Sequence, residues 1–209
     1  MATFSNPRET WNDRYADPDY LFGEAPNAFL AASAPRYLQA GQSALCVADG
    51  EGRNSVWLAE RGLAVTAFDF APNAVDKARR LAHKRGVTVD LHVADLESWR
   101  FEHAAFDAMI AIFIQFLDPV SRARAFANLR NAVRPGGIFL LEGYRPEQIA
   151  FGTGGPGAVE NLYTQEWVRE TFAGWELLEL RSYDATLAEG ARHVGMSALI
   201  DVVARKPNE

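Results

Sequence analysis

Apolar residues along this chain recur in two periods, and the switching between them divides it into alternating strands and helices. Residues 43–48, Ser-Ala-Leu-Cys-Val-Ala, form a short apolar run of the kind that reads as a strand buried on both faces; the turn Asp49-Gly50-Glu51-Gly52 follows, and then a helix ending near Gly62. Residues 63–68 read as a second strand. Pro72 then opens a helix whose Val75, Ala78, Leu81 and Ala82 share one face, with Gly86 as a left-handed stop. Residues 87–93 are the third strand, and residues 106–113, the most apolar stretch, suit the centre of a sheet. Asp118-Pro119 caps a helix with Phe126, Leu129 and Val133 on its buried side, after which Pro135-Gly136-Gly137 turns the chain into a fifth strand at 138–141. A helix near 164–172 and strands at 176–180 and 198–204 complete the series.

Two helices precede this alternation. Asn6-Pro7 has the form of an N-cap with proline at the first helical position, placing Trp11, Arg14 and Tyr15 on one face, and a second helix runs from about 26 to 37. The strand–helix rhythm predicts an α/β fold with a parallel, doubly wound sheet and right-handed crossovers. A length of 209 residues suits one such domain, with residues 1–40 as an N-terminal helical lid and 41–209 as the Rossmann-like core.

Composition narrows the chemistry. A net charge of -6 opposes a nucleic-acid partner, which is usually met by a basic face. The single cysteine, Cys46, leaves no disulfide and no thiol cluster, and the four histidines do not cluster in sequence, so no metal is expected. No apolar run approaches the ~20 residues of a membrane span, and the N-terminus lacks a secretory pattern. The expectation is a cytoplasmic protein without membrane contact, a monomer or homodimer.

In a doubly wound sheet, ligands bind beyond the carboxyl ends of the strands where strand order reverses, here at the turn after the first strand. Gly50 and Gly52 let backbone approach a ligand, although two glycines equally suit a plain tight turn. Asp69 ends the next strand, where an acid either accepts from a ribose diol or caps the helix before Pro72. Asp95, after the third strand, either meets an adenine edge or caps the helix-like stretch beyond it. A nicotinamide oxidoreductase shares this layout, but its fingerprint wants a third glycine where Ser55 stands, and a pyrophosphate sits poorly beside Asp49 and Glu51. S-adenosyl-L-methionine (SAM) brings a sulfonium and an ammonium instead, so the acids favour SAM.

Val-Ala-Asp-Gly-Glu-Gly-Arg-Asn, Thr-Ala-Phe-Asp-Phe-Ala, Ala-Asp-Leu and Arg-Pro-Gly-Gly-Ile-Phe resemble successive motifs of class I SAM-dependent methyltransferases, over nearly the whole chain. Trp-Asn-Asp-Arg-Tyr with Phe22-Gly23 and Pro26-Asn27 is similar, more narrowly, to small bacterial tellurite-resistance or thiopurine-type methyltransferases. The resemblance implies a seven-stranded sheet of order 3-2-1-4-5-7-6 with the last strand antiparallel. It also implies a SAM site in which Ala48, Asp49, Gly50, Glu51, Gly52 and Asn54 wrap the methionine portion, Asp69 and Phe70 hold the ribose, and Ala94, Asp95 and Leu96 frame the adenine, with Ile112 and Phe113 beside them. Two positions depart from the family pattern: Ala48 replaces the first motif glycine, and Cys46 replaces an acid often found within the first strand.

Methyl transfer from a sulfonium is an in-line displacement that alignment and exclusion of water largely carry, and a base is needed only for a protonated acceptor. Segments ending at the same sheet face supply Gln115, Glu142, Tyr144, the stretch 152–157, and, if the last strand is antiparallel, Glu189, Arg192 and His193. His193 is the candidate base, the alternative being an exposed loop histidine. Gln115 either orients an acceptor or satisfies backbone groups, and Tyr144 either donates to an acceptor or lines the pocket. Trp11, Arg14, Tyr15 and Phe22 are read as lid, and 152–157 as either a mobile lid or a linker. Expected, then, is methylation of a small nucleophile, whether thiol, oxyanion, chalcogen or amine, against an NAD(P)-dependent oxidoreductase or a non-catalytic SAM sensor.

Overall fold

The computed structural model describes residues 7–190 and 193–208. The expected N-cap Asn6 and the candidate Arg192 lie outside the described residues. In chain order the elements are α1 (Pro7–Arg14), α2 (Ala28–Tyr37), β1 (Ser43–Val47), α3 (Arg53–Glu60), β2 (Ala64–Asp69), α4 (Pro72–Arg85), β3 (Asp90–Val93), β4 (Phe106–Ile112), α5 (Pro119–Ala132), β5 (Val133–Tyr144), α6 (Gln148–Phe151), α7 (Gln165–Thr171), β6 (Glu176–Glu189) and β7 (His193–Arg205), with a 3-10 turn at Val159–Asn161. The sheet has seven strands in the order β3-β2-β1-β4-β5-β7-β6. β1 to β5 pair in parallel, and β7 runs antiparallel to both β5 and β6. The implied Rossmann-like order and the reversed last strand are both present.

The central strands are buried on both faces because helices cover both. Leu45 and Val47 of β1, Met109 of β4 and Phe139 of β5 point to one core, with Phe126, Leu129 and Phe172 from α5 and the end of α7. Their sequence neighbours Ala44, Cys46, Ile110 and Leu140 point to the other, against Leu30 of α2 and Leu58 of α3. Alternation within an apolar run thus sorts side chains between two cores rather than between core and water. Cys46 is a free, buried thiol whose pKa burial raises, which makes it a packing residue.

The caps match the local sequence. Asp118 accepts from the N–H groups of Val120 (2.9 Å) and Ser121 (3.1 Å), Thr164 accepts from Trp167 N–H (3.1 Å), and Gly86 ends α4 at φ 69°. Three expectations are corrected. Val133 begins β5 instead of ending α5, and Pro135-Gly136-Gly137 is an irregularity inside β5, where pairing skips from Phe106↔Val133 to Ala108↔Ile138. β6 and β7 run well past their expected limits as a hairpin arm whose outer half buries little, which dilutes its apolar alternation. β3 is shorter than expected, starting at Asp90.

Gly52 shows why the first turn is built as it is. It stands at φ 88° as the N-cap of α3, and a Cβ there would lie 2.7 Å from Ala78 Cβ and 2.9 Å from Ala78 Cα. The glycine lets α3 and α4 close against each other. Gly52→Ala therefore combines a left-handed penalty with overpacking, and we expect a loss of about 2–4 kcal/mol in urea unfolding. Adding Ala78→Gly should recover only part of the clash, because Ala78 Cα at 2.9 Å remains and a glycine inside α4 itself costs about 1 kcal/mol.

Candidate functional site

At the carboxyl end of the sheet lies a cavity of 1210 Å³. It is walled by the turn after β1 (Ala48, Asp49, Gly50, Arg53, Asn54), by Phe70, by Asp95 and Leu96, by Ile112, Phe113 and Gln115, by Tyr144, by 152–158 and by His193. Trp11, Arg14, Tyr15, Leu21 and Phe22 close it from the N-terminal side. The topology explains this convergence: the loops after β1, β3, β4 and β5 all leave the same edge, and the antiparallel β7 returns the β6–β7 hairpin to it.

The turn after β1 holds three acids with different surroundings. Asp49 lies on the cavity wall and accepts a short hydrogen bond from Ser55 Oγ; burial pushes its carboxyl up to about 7, against the pull of Ser55 and the nearby Arg53. Asp69 stands behind the turn, buried, with Oδ2 accepting from Gly50 N–H (3.0 Å) and Oδ1 from Ala71 N–H (2.9 Å). Burial raises it to about 6 despite these bonds. Its visible work is to fix the turn, since both oxygens are engaged by backbone. Glu51 faces away from the cavity: Oε1 lies 2.5 Å from Lys77 Nζ of α4, and the carboxylate accepts from Leu21 N–H (3.1 Å) and Phe22 N–H (3.2 Å).

Lys77 completes that anchor by donating to the carbonyls of Asp17 (2.8 Å) and Asp19. Asn12 Oδ1 accepts from Asn73 N–H (3.0 Å) at the start of α4, and Asn73 Nδ2 donates back to Asn12 O (2.9 Å). The segment so docked carries Trp11 stacked on Tyr15 at 5.7 Å, Phe22 at 6.3 Å from Trp11, and Arg14 over the Trp11 ring at 4.7 Å. Gly50 is needed beneath it, because a Cβ there would sit 3.2 Å from the Tyr15 hydroxyl in a backbone already at φ 63°.

Opposite the turn, Asn27 links four elements. Its N–H donates to Asn54 Oδ1 (2.9 Å), its Oδ1 caps α2 through Leu30 N–H (2.9 Å), and its Nδ2 donates to Glu142 Oε2 (2.5 Å) and Glu189 Oε1 (3.2 Å). Glu189 also pairs with Arg53 at 2.8 Å and accepts from Ala28 N–H at 3.0 Å. Burial pushes Glu189 up, but His193, Arg53 and the Ala28 N–H outweigh it and hold the carboxyl at about 2. Glu142 faces Asp201 across the β5–β7 ladder; burial, then the Asp201 charge, raise it, so the pair shares a proton that Glu142 keeps.

His193 lies between aromatic rings, 4.5 Å from Phe22, 4.5 Å from Phe113 and 6.2 Å from Tyr144. Burial lowers its pKa below the usual 6.5, with Glu189 opposing in part, so it is neutral at pH 7. Its Nδ1, 3.8 Å from Glu189 Oε2, is too far for a direct hydrogen bond, and both this atom and the Tyr144 hydroxyl are buried without partners.

The cavity brings together most of the residues expected from sequence: Ala48, Asp49, Gly50, Asn54, Phe70, Asp95, Leu96, Ile112, Phe113, Tyr144, His193, Trp11, Arg14, Tyr15 and Phe22. It excludes others. Glu51 is drawn off by Lys77, Gly52 by the α3–α4 contact, and Ala94 donates its N–H to Asp69 O (3.0 Å) beneath the wall. Gln115 is on the wall, but its amide is consumed: Nε2 donates to Tyr144 O (2.8 Å) and Oε1 accepts from Tyr144 N–H (2.5 Å), so it clamps the end of β5 instead of serving a ligand. Asp95 Oδ1 accepts from Glu97 N–H (2.9 Å) and Ser98 N–H (2.6 Å), capping a turn while facing the cavity. Residues 152–157 form a pinned wall, since Gln148 Nε2 donates to Thr153 Oγ1 (3.0 Å) and Gly154 O (3.1 Å), and Gln148 Oε1 accepts from Ala198 N–H (2.9 Å).

Residues 44–137 match the family model described as a methyltransferase domain. A ubiquinone biosynthesis O-methyltransferase of Methylocella silvestris is 38% identical over 108 residues, covering 51% of this chain and 41% of that protein. Among solved structures, TehB from Haemophilus influenzae superposes with a TM-score of 0.72 at 16% identity, over 95% of this chain and 66% of that one. The N-methyltransferase NodS of Bradyrhizobium japonicum, in complex with S-adenosyl-L-homocysteine (SAH), gives 0.73 at 14% identity, over 97% and 100%. The chain spans about half the length, or less, of the curated relatives it matches. Residues 44–137 are thus similar to a methyltransferase domain, and the whole chain shares the fold of these two solved structures.

The Glu51–Lys77 pair is buried, so removing one partner strands the other. We expect Lys77→Met to cost about 3–5 kcal/mol in chemical unfolding and to open the segment before residue 22 to limited proteolysis. Glu51→Gln combined with Lys77→Met should recover much of the stability without restoring protease resistance.

Proposed function

We propose that this protein binds SAM in the half of the cavity between Ala48 and Leu96 and transfers its methyl group to a small molecule held in the half between Phe113 and His193. The carrying observation is one continuous cavity of 1210 Å³, larger than the ~300–1,000 Å³ that commonly holds a single small ligand. Its walls suit the two halves of this reading. Asp49 is an acid raised by burial, as expected of a carboxylate awaiting a cation. The Methylocella relative, whose name describes an O-methyltransferase of ubiquinone biosynthesis, supports a small-molecule acceptor.

When bound, SAM supplies an electrophilic methyl on a sulfonium. The protein's share is to align and to dry. Tyr15 and Phe22 cover the turn and Phe113 walls the junction of the halves, so an acceptor atom there is shielded from water. Neutral His193 takes the proton of an X–H acceptor, and Glu189, fixed by Arg53 and Asn27, stabilises the imidazolium that results. The Tyr144 ring walls the same acceptor position.

SAM and SAH should each raise the melting temperature, by about 2.7 kcal/mol of stabilisation at 100 times Kd, whereas NADH and NADPH should not. The reverse pattern would favour the oxidoreductase, and no response to SAM or SAH would sink the proposal. SAH affinity should rise between about pH 6 and 8, because Asp49 titrates near 7 and only its ionised form attracts the ligand's ammonium. Without ligand the sign inverts: a raised carboxyl favours the folded, protonated state, so stability from this group is lost as pH climbs through 7. Asp49→Asn should remove this group's share of both slopes and weaken SAH at pH 8.

With labelled SAM and a panel of thiols, phenols, amines and chalcogen oxyanions, His193→Ala should cut turnover of protonated acceptors by about 10²–10⁴ while leaving SAH affinity intact. Full activity across pH in that variant would remove the base. Absence of any product from the panel, with SAM bound, would favour a sensor.

A further inference from the structure

The acceptor half of the cavity is built from rings. Phe113 and Tyr144 lie 4.7 Å apart, and His193 is 4.5 Å from Phe113. The charged and amide groups nearest to them are already engaged: Arg53 with Glu189 at 2.8 Å, and Gln115 with the Tyr144 backbone at 2.8 and 2.5 Å. What the chamber offers a ligand is ring surface, with the Tyr144 hydroxyl and His193 Nδ1 buried just beneath it. A chamber of rings, with its polar atoms set behind them, suits a single X–H group on an otherwise uncharged body. An oxyanion would find Arg53 of the cavity wall already paired with Glu189.

The apolar surface does not stop at the cavity mouth. Phe116 and Val194 line the cavity and are also 49% and 53% exposed, so the wall runs out into solvent. Met196, two residues along the same face of β7, and Val159, next to the lining Ala158, extend this rim, and both are exposed. Thr153, itself on the wall, ties the two sides together by donating to Met196 O at 2.5 Å. Large apolar side chains are ordinarily covered unless they meet something, and here they gather at the end of the sheet that carries the site.

We propose that the methyl acceptor is an uncharged molecule with an apolar arm, its nucleophilic X–H group placed between Tyr144 and His193 and its arm laid across Phe116 and Val194. The inference rests on the methyltransferase reading and narrows its acceptor. The occupant of the rim is the acceptor itself, because the exposed surface is continuous with the inner wall.

The test uses 4-alkylphenols, from methyl to octyl, titrated calorimetrically into the full chain saturated with SAH. Affinity should rise about fourfold per methylene over the first carbons, the gain expected for burying each CH₂, and then level off once the arm outruns the rim. Phe116→Ser with Val194→Ser should bring the octyl compound down to the affinity of the methyl compound, with SAH binding unchanged as the check on folding. A flat series in protein that binds SAH overturns the proposal and leaves the methyltransferase reading standing. So does selenite or benzoate binding more tightly than the neutral phenols, or a chain-length gain that survives the double substitution while a dimer dissociates. Failure to bind SAH at all removes the reading beneath it.

Discussion

The buried pair of Glu51 and Lys77 is the constraint on which this site depends. One partner comes from the turn that defines the cofactor edge of the sheet, the other from the helix behind it, and the N-terminal segment is threaded between them through the N–H groups of Leu21 and Phe22 and the carbonyls of Asp17 and Asp19. An ion pair in so dry a place gains little over apolar packing in stability. What it contributes is register: four backbone groups from a segment with little secondary structure of its own are held at fixed points. The aromatic cover of Trp11, Tyr15 and Phe22 is placed by that register, because α1 is only eight residues long and lies beside the sheet, not in it.

The turn after β1 is shaped from both sides by the same logic. Asp69 receives Gly50 from behind, Gly52 lets Ala78 of α4 approach from below, and the Tyr15 hydroxyl presses from above. Ala48 begins the turn at φ 48°, where the family pattern has glycine, and its methyl packs beside the core. A left-handed alanine costs about 1–2 kcal/mol, and the surrounding bonds are enough to hold it.

Most of the architecture was legible in the sequence because the buried strands and the capped helices leave strong periodic signals; the strand order came from the family resemblance and is what the sheet shows. The hairpin arm was not, since residues that pack on one side only alternate weakly between apolar and polar. At the site, sequence placed the turn, the N-terminal aromatics and His193, but it read the acids of the turn as a set. Glu51 is separated from Asp49 by two peptide units and faces the other way, which only the position of Lys77 reveals. A signal for that existed: Lys77 falls within the apolar stripe of α4, beside Ala74, Val75, Ala78 and Leu81, and a charge there needs a buried partner. The meeting of Asn27, Arg53 and Glu142 left no such trace, although Glu142 was placed at this face, because it depends on three separate segments arriving at one point. Gln115 was legible only as a choice, and its bonds to the backbone of Tyr144 decide it.

The distribution of protons around the cavity ties these observations together. Asp49 and Asp69 are raised by burial in the turn, and Glu142 shares a proton with Asp201 beneath the opposite wall, whereas Glu189 is held ionised by His193, Arg53 and the Ala28 N–H. One side of the site is therefore short of positive charge and the other is balanced. A ligand that carries a cation at one end and an uncharged partner at the other relieves the first and does not disturb the second. Burial that disfavours the ionised Asp49 would become, with an ammonium lying against it, a low-dielectric setting in which the same charge attracts strongly. The unfavourable electrostatics of the turn and the proposed preference for a cationic methyl donor would then share one origin, the buried Asp49 carboxyl.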